Sequence, residues 1–92
     1  MKAIAEIQVI PIGVGVSVRT EVKRAHKLLE ESGLVVTLHS CGTNVEGELH
    51  EIFSAVHRVH ETLHAEGTVR LTTAIKIGTR TDKEPTLGGK LF

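Results

Sequence analysis

The sequence predicts a small α+β domain, with four strands in one antiparallel sheet and two helices on one of its faces. Three observations support this fold class. The first and last segments alternate with a period of two, two longer segments repeat apolar residues at helical spacing, and a short hairpin lies between the helices. The 92 residues are 40% apolar and 24% charged, which is typical of a folded domain. We therefore expect one domain over residues 1–92, with a loose tail over residues 85–92.

The first strand is predicted over residues 2–10, where a row of apolar side chains alternates with a mixed row. Pro11 is expected to end this strand, because it has no N–H to offer a neighbouring strand. The spacing of apolar residues then predicts a helix over residues 18–32. We expect the hydroxyl of Ser17 to cap the start of this helix, and Gly33 to end it.

The remaining elements follow from the same two periods. A second helix is predicted from about Glu48 to Gly67, because its apolar residues recur at every third or fourth position. A turn at Cys41 and Gly42 joins two short antiparallel strands. The predicted strands that complete the sheet cover residues 35–39, 43–46 and 68–77.

The resulting order, βαββαβ, is that of the ferredoxin-like fold. Its sheet has the strand order 4-1-3-2 and carries both helices on one face, so that the other face is open. The residues predicted to face the helices are Ala3, Ile7, Val9, Val45, Val69, Leu71 and Ile75. The residues predicted on the open face are Ile4, Glu6, Gln8, Ile10, Thr37, His39, Asn44, Glu46, Arg70, Thr72, Ala74 and Lys76. This face is either a solvated surface or a contact between subunits, and its two isoleucines favour the contact.

Composition argues against several classes of function. The charges of eleven basic and eleven acidic residues balance to a net charge of zero, and aromatic residues make up only 2% of the chain. Both features are unlike those of a nucleic-acid-binding protein. No apolar run reaches the ~18 residues of a membrane-spanning helix, and we expect neither a membrane partner nor a secretion signal. Cys41 has no second cysteine to pair with, which fits the reducing cytoplasm.

The second predicted helix carries a stripe of histidines. Residues three and four apart on a helix are neighbours, so these side chains lie on one side of it. No metal-binding motif accompanies them, and we expect solvated or interface histidines rather than a structural metal site. Whether the stripe takes up adventitious metal stays open. Its members are His50, His57, His60 and His64.

Many residues together form a pattern that resembles one known family. The pattern comprises Ile10-Pro11-Ile12-Gly13, Ser17-Val18, Glu31-Ser32-Gly33-Leu34, Thr37-Leu38-His39-Ser40, Gly42-Thr43, Val45-Glu46-Gly47-Glu48, His60, Gly67 and Val69-Arg70. Its most specific part is Ile75-Lys76-Ile77-Gly78-Thr79-Arg80-Thr81-Asp82-Lys83. Over nearly its whole length the sequence resembles the small thiamine-binding proteins. The resemblance implies a ferredoxin-like homotetramer, a dimer of dimers in which sheets pack together, with ligand pockets near the subunit contacts.

The resemblance also implies a ligand, because two-domain relatives bind thiamine and its hydroxymethylpyrimidine part. An aminopyrimidine needs hydrogen-bond donors and acceptors, which Thr43, Asn44 and Glu46 can supply. The thiazolium ring is a fixed cation that Glu46 or Glu6 would balance. The further candidate ligand-binding residues are Ser17, His39, Arg80 and Asp82. Arg80 and Asp82 form a charged cluster with Lys83, and the alternative interpretation of this cluster is a solvated loop. We therefore expect a cytoplasmic binding protein with a small-molecule ligand, no cofactor and no enzymatic activity.

Two other functions stay open on the sequence alone. One is a structural or regulatory homo-oligomer that binds no small ligand. The other is a small enzyme in which His39 and Glu46 act as an acid–base pair, provided that strand pairing brings the two side chains together.

Overall fold

The computed structural model describes residues 1–13, 15 and 18–91 of the chain. Its elements are β1 (Lys2–Ile12), α1 (Arg19–Glu31), β2 (Val35–His39), β3 (Gly42–Glu48), α2 (Leu49–Ala65), β4 (Arg70–Gly78) and a 3-10 turn (Gly88–Leu91). The four strands form one sheet in the order β2-β3-β1-β4, and each neighbouring pair is antiparallel. The predicted ferredoxin-like fold is therefore confirmed, with the predicted strand order.

Both helices bury their apolar sides against the same face of the sheet. The buried core consists of Ala3, Ala5, Ile7, Ala25, Leu28, Leu29, Leu34, Val45, Ile52, Ala55, Val59 and Leu63. The alternation along β1 and the helical spacing along α1 and α2 place these residues together. No helix in the described ranges is long and apolar enough to cross a membrane.

The ends of the helices follow the prediction in part. Gly33 and Gly67 come just after α1 and α2, with φ angles of 86° and 109° that a residue with a Cβ rarely adopts. At the start of α1 the capping position is held by Val18, whose side chain makes no capping hydrogen bond. The predicted capping role of Ser17 lies outside the described residues.

The prediction that Pro11 ends β1 is wrong, since the strand continues to Ile12. The pairing with β3 stops at Ile7 and Thr43, whereas the pairing with β4 continues to the end of β1. Beyond Ile7 the strand therefore has a neighbouring strand on one side only among residues 1–13, 15 and 18–91. A proline is compatible with such an edge when its nitrogen faces the side that has no partner strand.

The prediction that β4 begins at Thr68 with Val69 facing the helices is also wrong. The N–H of Gly67 donates to the carbonyl of His64 and the N–H of Thr68 donates to that of Leu63, at 3.1 and 2.9 Å. These two bonds form a Schellman motif, so Thr68 still belongs to the end of α2. The strand starts only at Arg70, and Val69 is 82% exposed.

A C-terminal segment, residues 79–91, crosses the open face of the sheet near the start of β1. Ile4, which points to this face, is only 7% exposed, and Pro85 of the segment is buried. The backbone N–H of Leu87 donates to the Oε1 atom of Glu46 at 2.8 Å. Part of the open face is thus covered by the chain itself.

Candidate functional site

A cleft opens at the end of the sheet where β1 extends beyond β3. We name it the α1–hairpin cleft: α1 forms one wall, the β2–β3 turn forms the other, and residues 8–10 of β1 lie along its floor. Its volume is about 210 Å³. Most of the lining is apolar, and Val22 and Leu29 on α1 face Leu38 on the hairpin across it. Such a composition, with a few polar groups, is typical of small-molecule sites.

The floor of the cleft is a strand edge. If the nitrogen of Pro11 faces away from β4, then the N–H and C=O of Val9 face the same way, because backbone groups alternate sides with a period of two. On that side the described part of β3 has already ended, at the pair Ile7 and Thr43. With Pro11 in that orientation, the peptide groups of Val9 lie at the floor of the cleft, where a ligand with both a donor and an acceptor can pair with them.

His39 is the last residue of β2 and lines the cleft, and its ring extends toward Glu6 on the open face. Its Nδ1 atom accepts a hydrogen bond from the backbone N–H of Cys41 at 3.2 Å, so the proton of the neutral ring is on Nε2. Nε2 lies 3.3 Å from Oε2 of Glu6, within the distance of an ion pair. This contact is not aligned as a hydrogen bond, and Nε2 is buried without a hydrogen-bond partner in the described residues.

His26 lines the opposite wall and was not among the residues selected from the sequence. Its Nε2 atom lies 3.5 Å from Oε1 of Glu30 one helical turn later. Its Nδ1 atom is buried and has no hydrogen-bond partner within residues 1–13, 15 and 18–91. The signal in the sequence is its position: His26 follows Val22 by four residues and precedes Leu29 by three, so it borders the apolar stripe of α1.

The structure brings some of the predicted ligand-binding residues together. His39 and Thr43 both line the α1–hairpin cleft, whereas Glu6, which contacts His39, lies on the open face. Asn44 pairs with Glu6 across the two central strands and lies on the open face. Ser17 precedes α1 at the same end of the molecule but is outside the described residues.

The other predicted ligand-binding residues lie elsewhere. Glu46 contacts the C-terminal segment through Leu87. Arg80 donates to Asp82 at 2.6 Å, and this hydrogen bond holds the pKa of the Asp82 carboxyl below its usual value. Both of these side chains are exposed, so their pairing is that of a solvated loop.

The acid–base pair of His39 and Glu46 is not formed. In the hairpin His39 lies opposite Gly42, whereas Glu46 lies opposite Val35. The two pairing positions are four residues apart along β2, or about 13 Å at the usual rise of a strand. His39 contacts Glu6 instead.

Two further cavities lie on the open face beside the C-terminal segment. One of about 350 Å³ is lined by Glu6, Asn44, Lys76 and Leu87. The other, of about 430 Å³, lies between Ile4 and the loop after β4. Both are lined partly by the chain's own C-terminal segment, whereas no residue of that segment lines the α1–hairpin cleft.

Three histidines of the stripe on α2 have separate partners. His57 contacts Glu61 at 3.0 Å, His60 contacts the hydroxyl of Thr73 at 2.6 Å, and His64 contacts the carbonyl of Thr68 at 2.7 Å. Burial, reinforced by two neighbouring histidines, lowers the pKa of His60. No group of three metal-ligating side chains comes together in the described part of the chain.

Known proteins resemble this chain in sequence and in structure. A protein of Synechocystis sp. is 45% identical over 91 residues, covering 99% of this chain and 75% of that protein. The crystal structure of a hypothetical protein from Methanocaldococcus jannaschii is 38% identical, with a TM-score of 0.90 over 98% of this chain and 92% of that one.

A more distant structure shares the fold alone. A protein of Thermotoga maritima, described as a candidate thiamine biosynthesis or salvage protein, is 22% identical with a TM-score of 0.88. The structural alignment covers 99% of this chain and 96% of the Thermotoga protein. Finally, residues 5–92 match a family described as thiamine-binding protein, which is nearly the whole sequence. The chain therefore belongs to the thiamine-binding protein family.

Proposed function

We propose that this protein is a cytoplasmic, non-catalytic binding protein for thiamine or its hydroxymethylpyrimidine part, and that the pyrimidine lies in the α1–hairpin cleft. The observation that carries the proposal is a cleft with apolar walls whose floor is the edge of β1 beyond the end of its pairing with β3. Apolar walls favour the two faces of a flat ring, and the peptide groups of Val9 offer hydrogen bonds to its edge. Family membership supplies the ligand class.

The size of the cleft favours one ring rather than two. A volume of about 210 Å³ equals that of roughly seven water molecules in the liquid. This suits a substituted pyrimidine, and the thiazolium ring of thiamine then lies at the mouth. Glu6 contacts His39 of the cleft lining, and its negative charge favours a cation nearby.

Calorimetry with the two halves of thiamine tests this assignment. We expect thiamine and hydroxymethylpyrimidine to bind, and the hydroxyethylthiazole half to bind at least about tenfold more weakly, since it lacks the ring that fills the cleft. Equal binding of the thiazole half would contradict the placement. Absence of binding by all three compounds would favour a structural or regulatory homo-oligomer.

A variant that fills the cleft locates the site. Val22→Phe adds a ring to the α1 wall at a half-buried position. We expect it to weaken thiamine binding by about tenfold or more through steric exclusion. Val35→Phe, at an exposed position on β2, is the matched control and should bind as the wild type does. Thermal unfolding of both variants shows whether they fold, and full affinity in a folded Val22→Phe variant would exclude the cleft.

The proposal includes self-association through the part of the open face that the C-terminal segment leaves exposed. This part carries Ile10 opposite Thr72 and Gln8 opposite Ala74 on β1 and β4, a mixed surface suited to contact between subunits. Light scattering on the calorimetry samples tests for the expected homotetramer, and a monomer at micromolar concentration would contradict this part.

A further inference from the structure

Two opposite charges lie side by side on the open face of the sheet without pairing. Glu6 on β1 and Lys76 on β4 occupy directly opposite positions of the antiparallel pair. The Cβ atoms of such partners are about 4.5–5.5 Å apart, so a carboxylate and an ammonium at these positions can form an ion pair. The carboxylate of Glu6 instead contacts His39, and none of the ion pairs among the described residues includes Lys76.

Both side chains line the cavity of about 350 Å³ on the open face, which we name the Glu6–Lys76 cavity. Asn44 lies opposite Glu6 on β3 and adds an amide group that both donates and accepts hydrogen bonds. Ile4 and Leu87 add apolar surface toward the start of β1. The lining thus combines one carboxylate, one ammonium and one amide with an apolar end.

A ligand that fits this lining carries a cation and an anion close together, next to an apolar group. A simple cation would be attracted by Glu6 but repelled by Lys76, and a simple anion would meet the reverse. In a free α-amino acid the ammonium and the carboxylate are on the same carbon atom. Its ammonium can therefore contact Glu6 while its carboxylate contacts Lys76, and an apolar side chain can extend toward Ile4 and Leu87.

We propose that the Glu6–Lys76 cavity is a further ligand site, which binds a free α-amino acid with an apolar side chain. Glu6 accepts from the α-ammonium group, Lys76 donates to the α-carboxylate, and the amide of Asn44 donates to the same carboxylate. No residue lines both this cavity and the α1–hairpin cleft. The inference therefore does not depend on thiamine binding.

Titrations with amino acids and with two analogues of leucine test the pair of charges. 3-Methylbutylamine is leucine without its carboxylate, and 4-methylpentanoate is leucine without its ammonium. We expect L-leucine, L-valine or L-methionine to cause saturable shifts of the 1H–15N signals of the Asn44 side chain and the Leu87 backbone. Each analogue should bind at least about tenfold more weakly than L-leucine, because it loses a charge-assisted hydrogen bond. Absence of saturable binding by all three amino acids, or an analogue that binds as tightly as L-leucine, would overturn the proposal.

Two variants assign each charge of the ligand to its partner. Lys76→Met removes the ammonium and keeps most of the stem, and Glu6→Gln keeps the shape of the side chain without its charge. Each should weaken binding of L-leucine about tenfold or more. Lys76→Met should not weaken binding of 3-methylbutylamine, and Glu6→Gln should not weaken binding of 4-methylpentanoate, whereas a loss of packing would weaken both. Arg70→Met, which removes an exposed cation at the other end of β4, is the matched control and should bind L-leucine as the wild type does.

Further outcomes separate this inference from the proposed function. An Arg70→Met variant that loses L-leucine as strongly as Lys76→Met does would indicate a general effect of charge and would overturn the assignment. Displacement of L-leucine by thiamine, seen at the signals of Asn44 and Leu87, would also overturn it and place thiamine on the open face. Lys76→Met should bind thiamine as the wild type does, because this side chain does not line the α1–hairpin cleft. Binding of L-leucine by a wild type that does not bind thiamine would support this inference and overturn the proposed function alone.

Discussion

The two ends of β1 lie in different surroundings although they belong to one strand. At its start β1 is paired on both sides, and Ile4 is covered by the C-terminal segment. At its end the strand is paired with β4 alone, and the positions around Val9 face the α1–hairpin cleft. The chain thus satisfies the first end with its own atoms, whereas the second end is paired on one side only within the described residues.

The comparison separates residues that stabilise the fold from residues that bind. Around Ile4 the contacts are complete: its side chain is buried, and the carboxylate of Glu46 on the neighbouring strand has the N–H of Leu87 as its partner. Around Val9 the apolar walls are present but polar groups of His26 and His39 are unpaired among the described residues. Unpaired polar groups in a folded protein point to a missing partner, which agrees with placing the ligand at this end.

The largest expected effect is on the free energy of unfolding, and it tests the difference between the two ends of β1. Ile4→Ala should lower the free energy of unfolding by about 2–4 kcal/mol, because it leaves a cavity under the C-terminal segment. Val69→Ala is the control at an apolar position that is 82% exposed, and it should cost less than about 1 kcal/mol. Urea unfolding of the two variants measures both values. Equal losses would mean that the C-terminal segment does not cover Ile4 in solution.

The sequence predicted β1 and β4 because alternation is a local property of a strand. It missed the continuation through Pro11, since this depends on where β3 ends, and it misplaced Val69, since the hydrogen bonds after α2 delay the start of β4. A local pattern contains neither fact. Both errors lie at boundaries, where a tertiary neighbour decides the outcome.

For the candidate site the sequence indicated His39 and Thr43, which do line the cleft. It did not indicate His26, because a histidine beside an apolar helical stripe usually has no special role. It also assigned Glu46 to the ligand, whereas the partner found for its carboxylate is Leu87, 41 residues along the chain. Such contacts between distant residues have no period, so only the folded structure reveals them.

An intermediate effect concerns the contact between Glu46 and Leu87. Glu46→Ala removes the acceptor of the Leu87 N–H and should lower the free energy of unfolding by about 1–2 kcal/mol, as expected for a partly buried hydrogen bond to a charged group. Glu46→Gln keeps a carbonyl oxygen and should lose less. Both variants should bind thiamine within about twofold of the wild type, because the cleft is at the other end of β1.

Calorimetry and urea unfolding of the same two variants decide between the two roles of Glu46. A Glu46→Gln variant with unchanged stability and much weaker thiamine binding would place the ligand on the open face, as the sequence alone suggested. It would also remove the distinction between the two ends of β1.

The smallest expected effect lies away from both ends of β1, where α2 packs on β4. His60 contacts the hydroxyl of Thr73, and burial together with the charges of His64 and His57 lowers its pKa from the usual 6.5. Well above pH 6.5 the ring is neutral in the folded and the unfolded chain, so its titration does not affect stability. As the pH falls below that value, the unfolded chain takes up the proton first, and the free energy of unfolding decreases until folded His60 is also protonated.

The urea concentration at the unfolding midpoint, measured from pH 7.5 down to about 4.5, should therefore decrease less steeply with falling pH in His60→Gln than in the wild type. Ser54→Ala is the control, since Ser54 is exposed on the same helix and does not titrate, so this variant should leave the slope unchanged. Thiamine affinity at neutral pH should be the same in all three proteins. If His60→Gln weakened it as strongly as the cleft variants do, the ligand would have to contact α2 and β4, and the end of β1 would no longer be the binding end.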